Sequence, residues 1–347
     1  MSKKVAIGQK ICYTIRRRKY TERVISIKHI FVINPAAGKG NASKLLMSVI
    51  EDACTAAGVH FEIYTTRSRG DATEYVRRMI ADKPEGITYR FYACGGDGTL
   101  SEVVAGAVNT DAINTCGPIP GVEVGCIPVG TGNDFVRNFT NSAFFSDVTK
   151  QILADPTVID CYNCGGIYGV NMINIGFDCE VAIRASENKK KKFMPKSLAY
   201  IAGVFTEFKK NEGRRMRVTL DDGRVIEREF QLVSVANGGF CGGGFHSAPR
   251  SVLSDGLLDI SMIDKVTRTT FLKLVGSYKK GTHLGTKTGK RVVHYIQGKS
   301  VAIDFGEPAN VCIDGEIVKM ESFEMSVVPS SLAFAIPVGC EIDHFDK

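Results

Sequence analysis

The clearest periodic stretch runs from His29 to Ile127, where short apolar runs alternate with segments of helical spacing. His29 to Ile33 reads as a strand, ended by the polar loop Asn34-Pro35-Ala36-Ala37-Gly38-Lys39-Gly40. Leu45, Leu46, Val49, Ile50, Ala53, Cys54 and Ala57 then fall on one face of a helix that Gly58 stops. Val59, Phe61 and Ile63 alternate as a second strand, Asp71 to Ile80 predicts a helix, and Tyr89 to Cys94 is an aromatic-rich third strand. Thr99 is placed to cap a helix carrying Leu100, Val103, Val104 and Ala107. A fourth strand, Val122 to Ile127, leads into Pro128-Val129-Gly130-Thr131-Gly132-Asn133-Asp134-Phe135, with another helix expected behind it. Strands alternating with helices imply a parallel sheet whose ligands sit at the carboxyl ends of the strands. The loops 34 to 40, 65 to 71 and 95 to 99 fall at those ends.

After about residue 157 the rhythm changes. Met216 to Leu220 and Val225 to Val235 flank Asp221-Asp222-Gly223, a hairpin signal. Leu257 to Ile263, Ser300 to Phe305, Asn310 to Ile313 and Phe323 to Val328 read as strands, with one helix near Thr267 to Tyr278. This half predicts an antiparallel sheet or sandwich. Leu332 to Ile336 is apolar enough to return to the first half. The expected fold is therefore α/β plus all-β: a basic arm at 1–27, a doubly wound parallel α/β domain at 28–156 completed by 329–347, and a β-sandwich domain at 157–328.

Composition adds limits. At 347 residues the chain exceeds one comfortable core, and 44% hydrophobic with 23% charged residues is ordinary for a soluble globular protein. No apolar run is long enough to span a bilayer, and Ile11 to Ile15 is followed at once by Arg16-Arg17-Arg18-Lys19, unlike a signal peptide. That places the chain in the cytoplasm. Eleven cysteines, an odd number scattered singly, fit reduced thiols. Cys161-x-x-Cys164 stands without a second pair, and a zinc or redox centre there would need further ligands at suitable spacing. The net charge of +7 implies attraction to anions without choosing among nucleotide, nucleic acid and acidic membrane.

Gly95-Gly96-Asp97-Gly98-Thr99 is the chemical centre of the pattern. Three glycines permit close backbone approach, so main-chain N–H groups beside a helix N-terminus can face phosphate oxygens. Asp97 is out of place in an anion site unless it meets Mg²⁺ or a substrate proton; a tight turn with Asp97 as a local cap is the plainer alternative. A second glycine-rich turn at 130–132 strengthens the phosphate reading. Gly38-Lys39 is not a P-loop, because the early glycine is missing and Gly40 stands where Ser or Thr should follow. Nor is 95 to 100 a G-x-G-x-x-G dinucleotide fingerprint.

Taken in order, Asn34-Pro35-x-x-Gly38-Lys39, Gly95-Gly96-Asp97-Gly98-Thr99-x-x-Glu102 and Gly130-Thr131-Gly132-Asn133-Asp134-Phe135 resemble the catalytic domain of the diacylglycerol kinase and lipid kinase family, above all its soluble bacterial members. The likeness continues through Asn237-Gly238-Gly239, Gly242-Gly243-Gly244, Ala248-Pro249, Asp255-Gly256-Leu257-Leu258-Asp259 and Asp314-Gly315-Glu316, covering about 28–336. It implies ATP in a cleft between the two domains and transfer of its γ-phosphoryl group to a lipid hydroxyl. By motif position Asn34, Pro35, Gly38, Lys39, Thr66, Gly95, Gly96, Asp97, Gly98, Thr99, Glu102, Gly130, Thr131, Gly132, Asn133 and Asp134 surround the nucleotide. Glu316 matches the family's general base, consistent with an attacking alcohol that must lose a proton; Asp97 acts on catalytic Mg²⁺ or the phosphate loops. Asp255, with main-chain oxygens of Val252 and Leu257, matches a structural Mg²⁺ site.

The expected activity is an ATP- and Mg²⁺-dependent lipid kinase, with diacylglycerol as the first acceptor. Phosphatidylglycerol, a sphingoid base, a soluble acceptor as in NAD kinases, and a non-catalytic lipid or nucleotide sensor stay open. Lys189 to Lys192, followed by Phe193 and Met194, is either a solvated loop or a contact with an anionic membrane surface, about 1 kcal/mol per lysine. No nucleic-acid partner is expected, a homodimer is compatible with the sequence, and the membrane contact would be transient, at the inner face.

Overall fold

The computed structural model describes residues 26–38, 42–112, 117–177, 179–180 and 213–343. Residues 1–25 of the basic arm, Lys39, Gly40, and the run Lys189 to Lys192 with Phe193 and Met194 lie outside the described residues. In chain order the strands are β1 (Ser26–Ile33), β2 (His60–Thr65), β3 (Ile87–Gly95), β4 (Val122–Pro128), β5 (Asp155–Cys164), β6 (Ile167–Gly169), β7 (Met172–Gly176), β8 (Arg214–Leu220), β9 (Val225–Ala236), β10 (Phe240–Cys241), β11 (Phe245–His246), β12 (Leu258–Asp264), β13 (Val293–Gly298), β14 (Ser300–Ile313) and β15 (Glu316–Ile336).

The first half is an α/β unit with strand order β4-β3-β1-β2, all parallel. Its inner strands β1, β3 and β4 are buried on both faces, as crossover helices on both sides require, while the edge strand β2 is half-buried. Phe31, Ile33, Tyr92 and Cys94 pack on Leu46, Ile50 and Cys54 of the helix Ala42–Ala57. The alternate residues Ile30, Val32, Phe91 and Ala93 pack on the opposite side. There they meet Ala72, Tyr75 and Val76 of the helix Asp71–Ala81, and Leu100, Val103 and Val104 of the helix Asp97–Ala107. Both helices therefore begin at the carboxyl ends of strands, beside the loops flagged above.

The second half is antiparallel and β-rich, and it joins the same sheet through β14 and β15. Its core gathers Ile173, Val218, Val233, Ile260, Val311 and Met325. Strand β15 runs from this core into the α/β half, where Phe334 pairs in parallel with Val124. Two readings need correction. Ser300–Phe305 and Asn310–Ile313 are one strand, and Phe323–Val328 and Leu332–Ile336 belong to another; the breaks are register shifts at Asp304/Ala309 and Val328/Leu332. Behind Asp134 there is a single 3₁₀ turn, Phe135–Asn138, where a full helix was expected, because the chain then bridges back through Phe139 to Ile342.

No helix among the described residues is long and apolar enough to cross a membrane. Cys161 and Cys164 are buried and free, and burial pushes their thiols up to about 12 and about 11, away from the thiolate a metal would need.

Candidate active site

Three loops of the α/β half converge where β1, β3 and β4 end. Asn34 N donates to Cys94 O at 3.0 Å, its side-chain Nδ2 donates to Thr99 Oγ1 at 3.1 Å, and its Oδ1 accepts from Ala36 N at 2.9 Å. Asn34 thus shapes its own loop and ties it to the glycine turn. Pro35 is exposed and Gly38 holds φ 81°, a left-handed value suited to glycine. Thr66 N donates to Ile33 O at 2.9 Å, which keeps the loop after β2 beside the one after β1.

The two glycine-rich turns touch backbone to backbone. Val129 N and Gly130 N donate to Gly95 O at 2.8 and 3.2 Å. An ideal Cβ on Gly130 would fall 2.5 Å from Gly96 Cα, and one on Gly95 would fall 2.2 Å from Thr99 Oγ1, so neither position tolerates a side chain. The helix Asp97–Ala107 begins at Gly96, which has no side-chain cap, and Thr99 N and Leu100 N donate to Gly96 O at 3.0 and 3.1 Å.

Asp97 Oδ1 accepts from Asp134 N at 2.7 Å and from Phe135 N at 3.3 Å. Burial pushes the Asp97 carboxyl up, against the pull of those N–H groups. Burial, and then the charge of Asp97, push Asp134 up to about 6. Asp134 Oδ2 accepts from Gly243 N of the second half at 2.9 Å, and its Oδ1 meets Arg137 Nε at 3.4 Å. Asn138 Oδ1 likewise accepts from Gly239 N at 2.7 Å. The Gly130–Asp134 turn therefore joins the halves. Asn133 sits at φ 51°, donates Nδ2 to Gly130 O at 3.2 Å, and has a buried Oδ1 without a hydrogen-bond partner. Thr131 is exposed in the same turn.

Glu102, in the segment expected around the nucleotide, braces a neighbouring loop. Its carboxylate accepts from Gly70 N at 2.9 Å and Ala72 N at 3.3 Å, bracing the loop after β2.

The second half contributes Glu316. Asp314 and Gly315, at φ 44° and 90°, form the two-residue turn between β14 and β15, and Ile313 pairs with Glu316 across it. Asp314 is buried and accepts from Val170 N at 3.0 Å, Asn171 N at 3.2 Å and Met172 N at 2.8 Å, fixing the turn. Burial pushes its carboxyl up to about 6. Glu316 then projects to the glycine loop: an ideal Cβ on Gly98 would lie 2.9 Å from Glu316 Oε1. Its Oε2 pairs with Arg69 Nη2 at 3.3 Å. Sequence reasoning flagged the loop 65–71 but missed Arg69, whose partner is remote in the chain; a cation in a loop at the sheet's carboxyl end is the only advance signal.

Asp255, Val252 and Leu257 share one turn of the second half. Leu257 N donates to the exposed Asp255 at 3.0 Å, and Asp160 holds the turn by accepting from Gly256 N at 2.7 Å while its own N donates to Leu253 O. Among the described residues no group of three or more His, Cys, Asp or Glu could hold a metal.

Residues 28–164 match the diacylglycerol kinase catalytic domain, and 171–336 match the YegS C-terminal NAD kinase β-sandwich-like domain. A "Probable lipid kinase YegS-like" protein of Stenotrophomonas maltophilia is 26% identical over 294 residues, 82% of this chain and 89% of that protein. One of Xanthomonas oryzae pv. oryzae is 27% identical over 295 residues, with the same coverage. A crystal structure titled a diacylglycerol kinase, from Bacillus anthracis, superposes with TM-score 0.63 at 21% identity, covering 92% of this chain and 99% of that one. That likeness concerns the fold. With paired glycine turns, a carboxylate brought to them from the second half, and both domains matched in order, the chain belongs to the diacylglycerol kinase-type lipid kinases.

Proposed function

We propose that the protein transfers the γ-phosphoryl group of ATP to the hydroxyl of diacylglycerol, with Glu316 as general base. The observation that carries this reading is the position of Glu316, which the Asp314-Gly315 turn sets against Gly98 at the start of the phosphate-facing helix. The acceptor oxygen bonds to the γ-phosphorus as the bond to the β-phosphate oxygen breaks; ADP leaves, and the hydroxyl proton passes to Glu316. First-turn N–H groups at Gly96 to Gly98, and the turn at Gly130 to Gly132, hold the phosphates.

Asp97 and Asp134 fit a divalent cation. Asp97 Oδ2 and Asp134 Oδ2 both lie beside Gly132, 2.8 and 3.3 Å from where its Cβ would stand, so two hard oxygens are gathered at one residue. Mg²⁺ held there would neutralise phosphate charge. Asp255 with the Val252 and Leu257 main chain remains our reading of a second, structural Mg²⁺ position.

An amphipathic acceptor suits the second half. A cavity of about 760 Å³ is lined by Phe177, Phe230, Phe305 and Asn310 together with Arg214 and Glu180. Asn310 stands three residues along β14 from Ile313, the partner of Glu316, which is about 10 Å of strand. Lys189 to Lys192 would hold the enzyme at an anionic membrane, and anionic-vesicle binding that survives Lys→Ala at all four positions removes that part. Labelled ATP offered with diacylglycerol, phosphatidylglycerol, a sphingoid base or NAD tests the acceptor. Label in phosphatidic acid above all other products is expected; preference for another acceptor overturns the diacylglycerol assignment.

A further inference from the structure

Glu316 shows two different faces: Oε1 lies beside Gly98, while Oε2 is held by Arg69 from another loop of the same α/β half. Arg69 is not an ordinary surface cation of its loop. Two residues earlier, Arg67 is tied within the loop, to Asp71 Oδ1 at 3.1 Å and Tyr64 at 3.2 Å. Arg69 reaches instead across to the β14–β15 turn. Its backbone is anchored just behind the guanidinium, where Gly70, at φ 83°, and Ala72 donate N–H groups to Glu102. Glu102 belongs to the helix whose first turn faces the phosphates. Arg69 is thus fixed at its base relative to the glycine loop, while its tip is held by one exposed ion pair alone.

Magnitudes then decide which partner that tip prefers. The side chains of Arg69 and Glu316 are 67% and 47% exposed, and exposed ion pairs are worth about 0–1 kcal/mol. A guanidinium on a phosphate makes paired, charge-assisted hydrogen bonds to a more highly charged partner. Building on the kinase reading above, we propose that Arg69 is a nucleotide-sensing latch on the general base. Without nucleotide it holds the Glu316 carboxylate. When a γ-phosphate occupies the loop beside Gly98, Arg69 moves to that phosphate and releases Glu316 to accept the proton of the acceptor hydroxyl. Arg69 is then a specificity-determining residue that distinguishes ATP from ADP, because only ATP brings the γ-phosphate to it.

The test is calorimetric titration of the full chain with ATP and with ADP, at fixed Mg²⁺ and without lipid, in the wild type, Arg69→Ala, Arg69→Lys, Glu316→Gln and the double variant Arg69→Ala/Glu316→Gln. Arg69→Ala is expected to weaken ATP binding about tenfold or more while ADP binding stays within about twofold. Glu316→Gln is expected to tighten ATP binding by up to about fivefold, since the competing ion pair is gone, and the double variant to lose that gain. Arg69→Lys should fall between, a point charge in place of a fork. Equal weakening of ATP and ADP by Arg69→Ala, or no change in either, overturns the latch. If the wild type phosphorylates lipid and Glu316→Gln does not, the kinase reading survives that failure; a wild type that binds no ATP removes both.

Discussion

The backbone N–H of Asp134 donates to Asp97 Oδ1 at 2.7 Å, so two acidic residues from separate glycine turns are locked together where those turns meet. Burial raises both carboxyls, and the charge of Asp97 adds to the effect on Asp134. Such crowding of carboxyls lowers stability, and on the proposed function Mg²⁺ would offset it.

The pH dependence follows from the direction of the shift. Asp134 stands at about 6 in the folded chain against an ordinary 3.8, so its protonated form favours folding. That contribution is fully present below about pH 3.8 and is lost as the pH rises through about 6. Asp134→Asn removes the charge and should stabilise the Mg²⁺-free protein by about 1–3 kcal/mol at pH 8, with the gain shrinking towards pH 4. Denaturant melts of both proteins at several pH values in chelator check this; a gain that does not change with pH contradicts it.

Gly130→Ala places a Cβ 2.5 Å from Gly96 Cα, where backbone meets backbone and no side chain can swing away. The turns must separate, at a cost of about 1–3 kcal/mol, and ATP affinity should fall by at least about tenfold. Thermal melts with and without ATP measure both effects. By contrast, Gly98→Ala meets only the mobile end of Glu316 at 2.9 Å, so it should spare folding and impair turnover.

Asp314→Ala orphans the N–H groups of Val170, Asn171 and Met172 in a buried turn. A loss of at least about 3 kcal/mol in urea unfolding is expected. Asp314→Asn keeps an acceptor and tolerates φ 44°, so it should lose less. Equal losses in the two variants would show that the carboxylate's hydrogen bonds do not hold the turn.

The fold was legible because its signals are local. Ile30 to Ile33 and Phe91 to Cys94 are apolar without a break, which marks strands covered on both sides, and the glycine turns stand at their ends. What escaped depends on distant partners. Gly306 at φ 69° and Ser330 at φ 52° read as ends of strands, yet β14 and β15 pass through them because neighbouring strands keep pairing on either side. Ser330 is held there by donating its N–H to Asp160 at 2.6 Å, a contact no spacing reveals. Glu102 is the same lesson inside the site: its motif places it in the segment around the nucleotide, and only the folded chain shows that its carboxylate braces the loop after β2. Arg69 was invisible for the same reason, since its meaning comes from Glu316 on another domain.

The most direct measurement follows labelled phosphate from ATP into diacylglycerol in mixed micelles, comparing the wild type with Glu316→Gln and checking that both bind ATP. Phosphatidic acid formed by the wild type, and about 100- to 10,000-fold less by Glu316→Gln with ATP binding retained, is the predicted result. Turnover by Glu316→Gln equal to that of the wild type, or a wild type that binds ATP and phosphorylates no lipid, would contradict it.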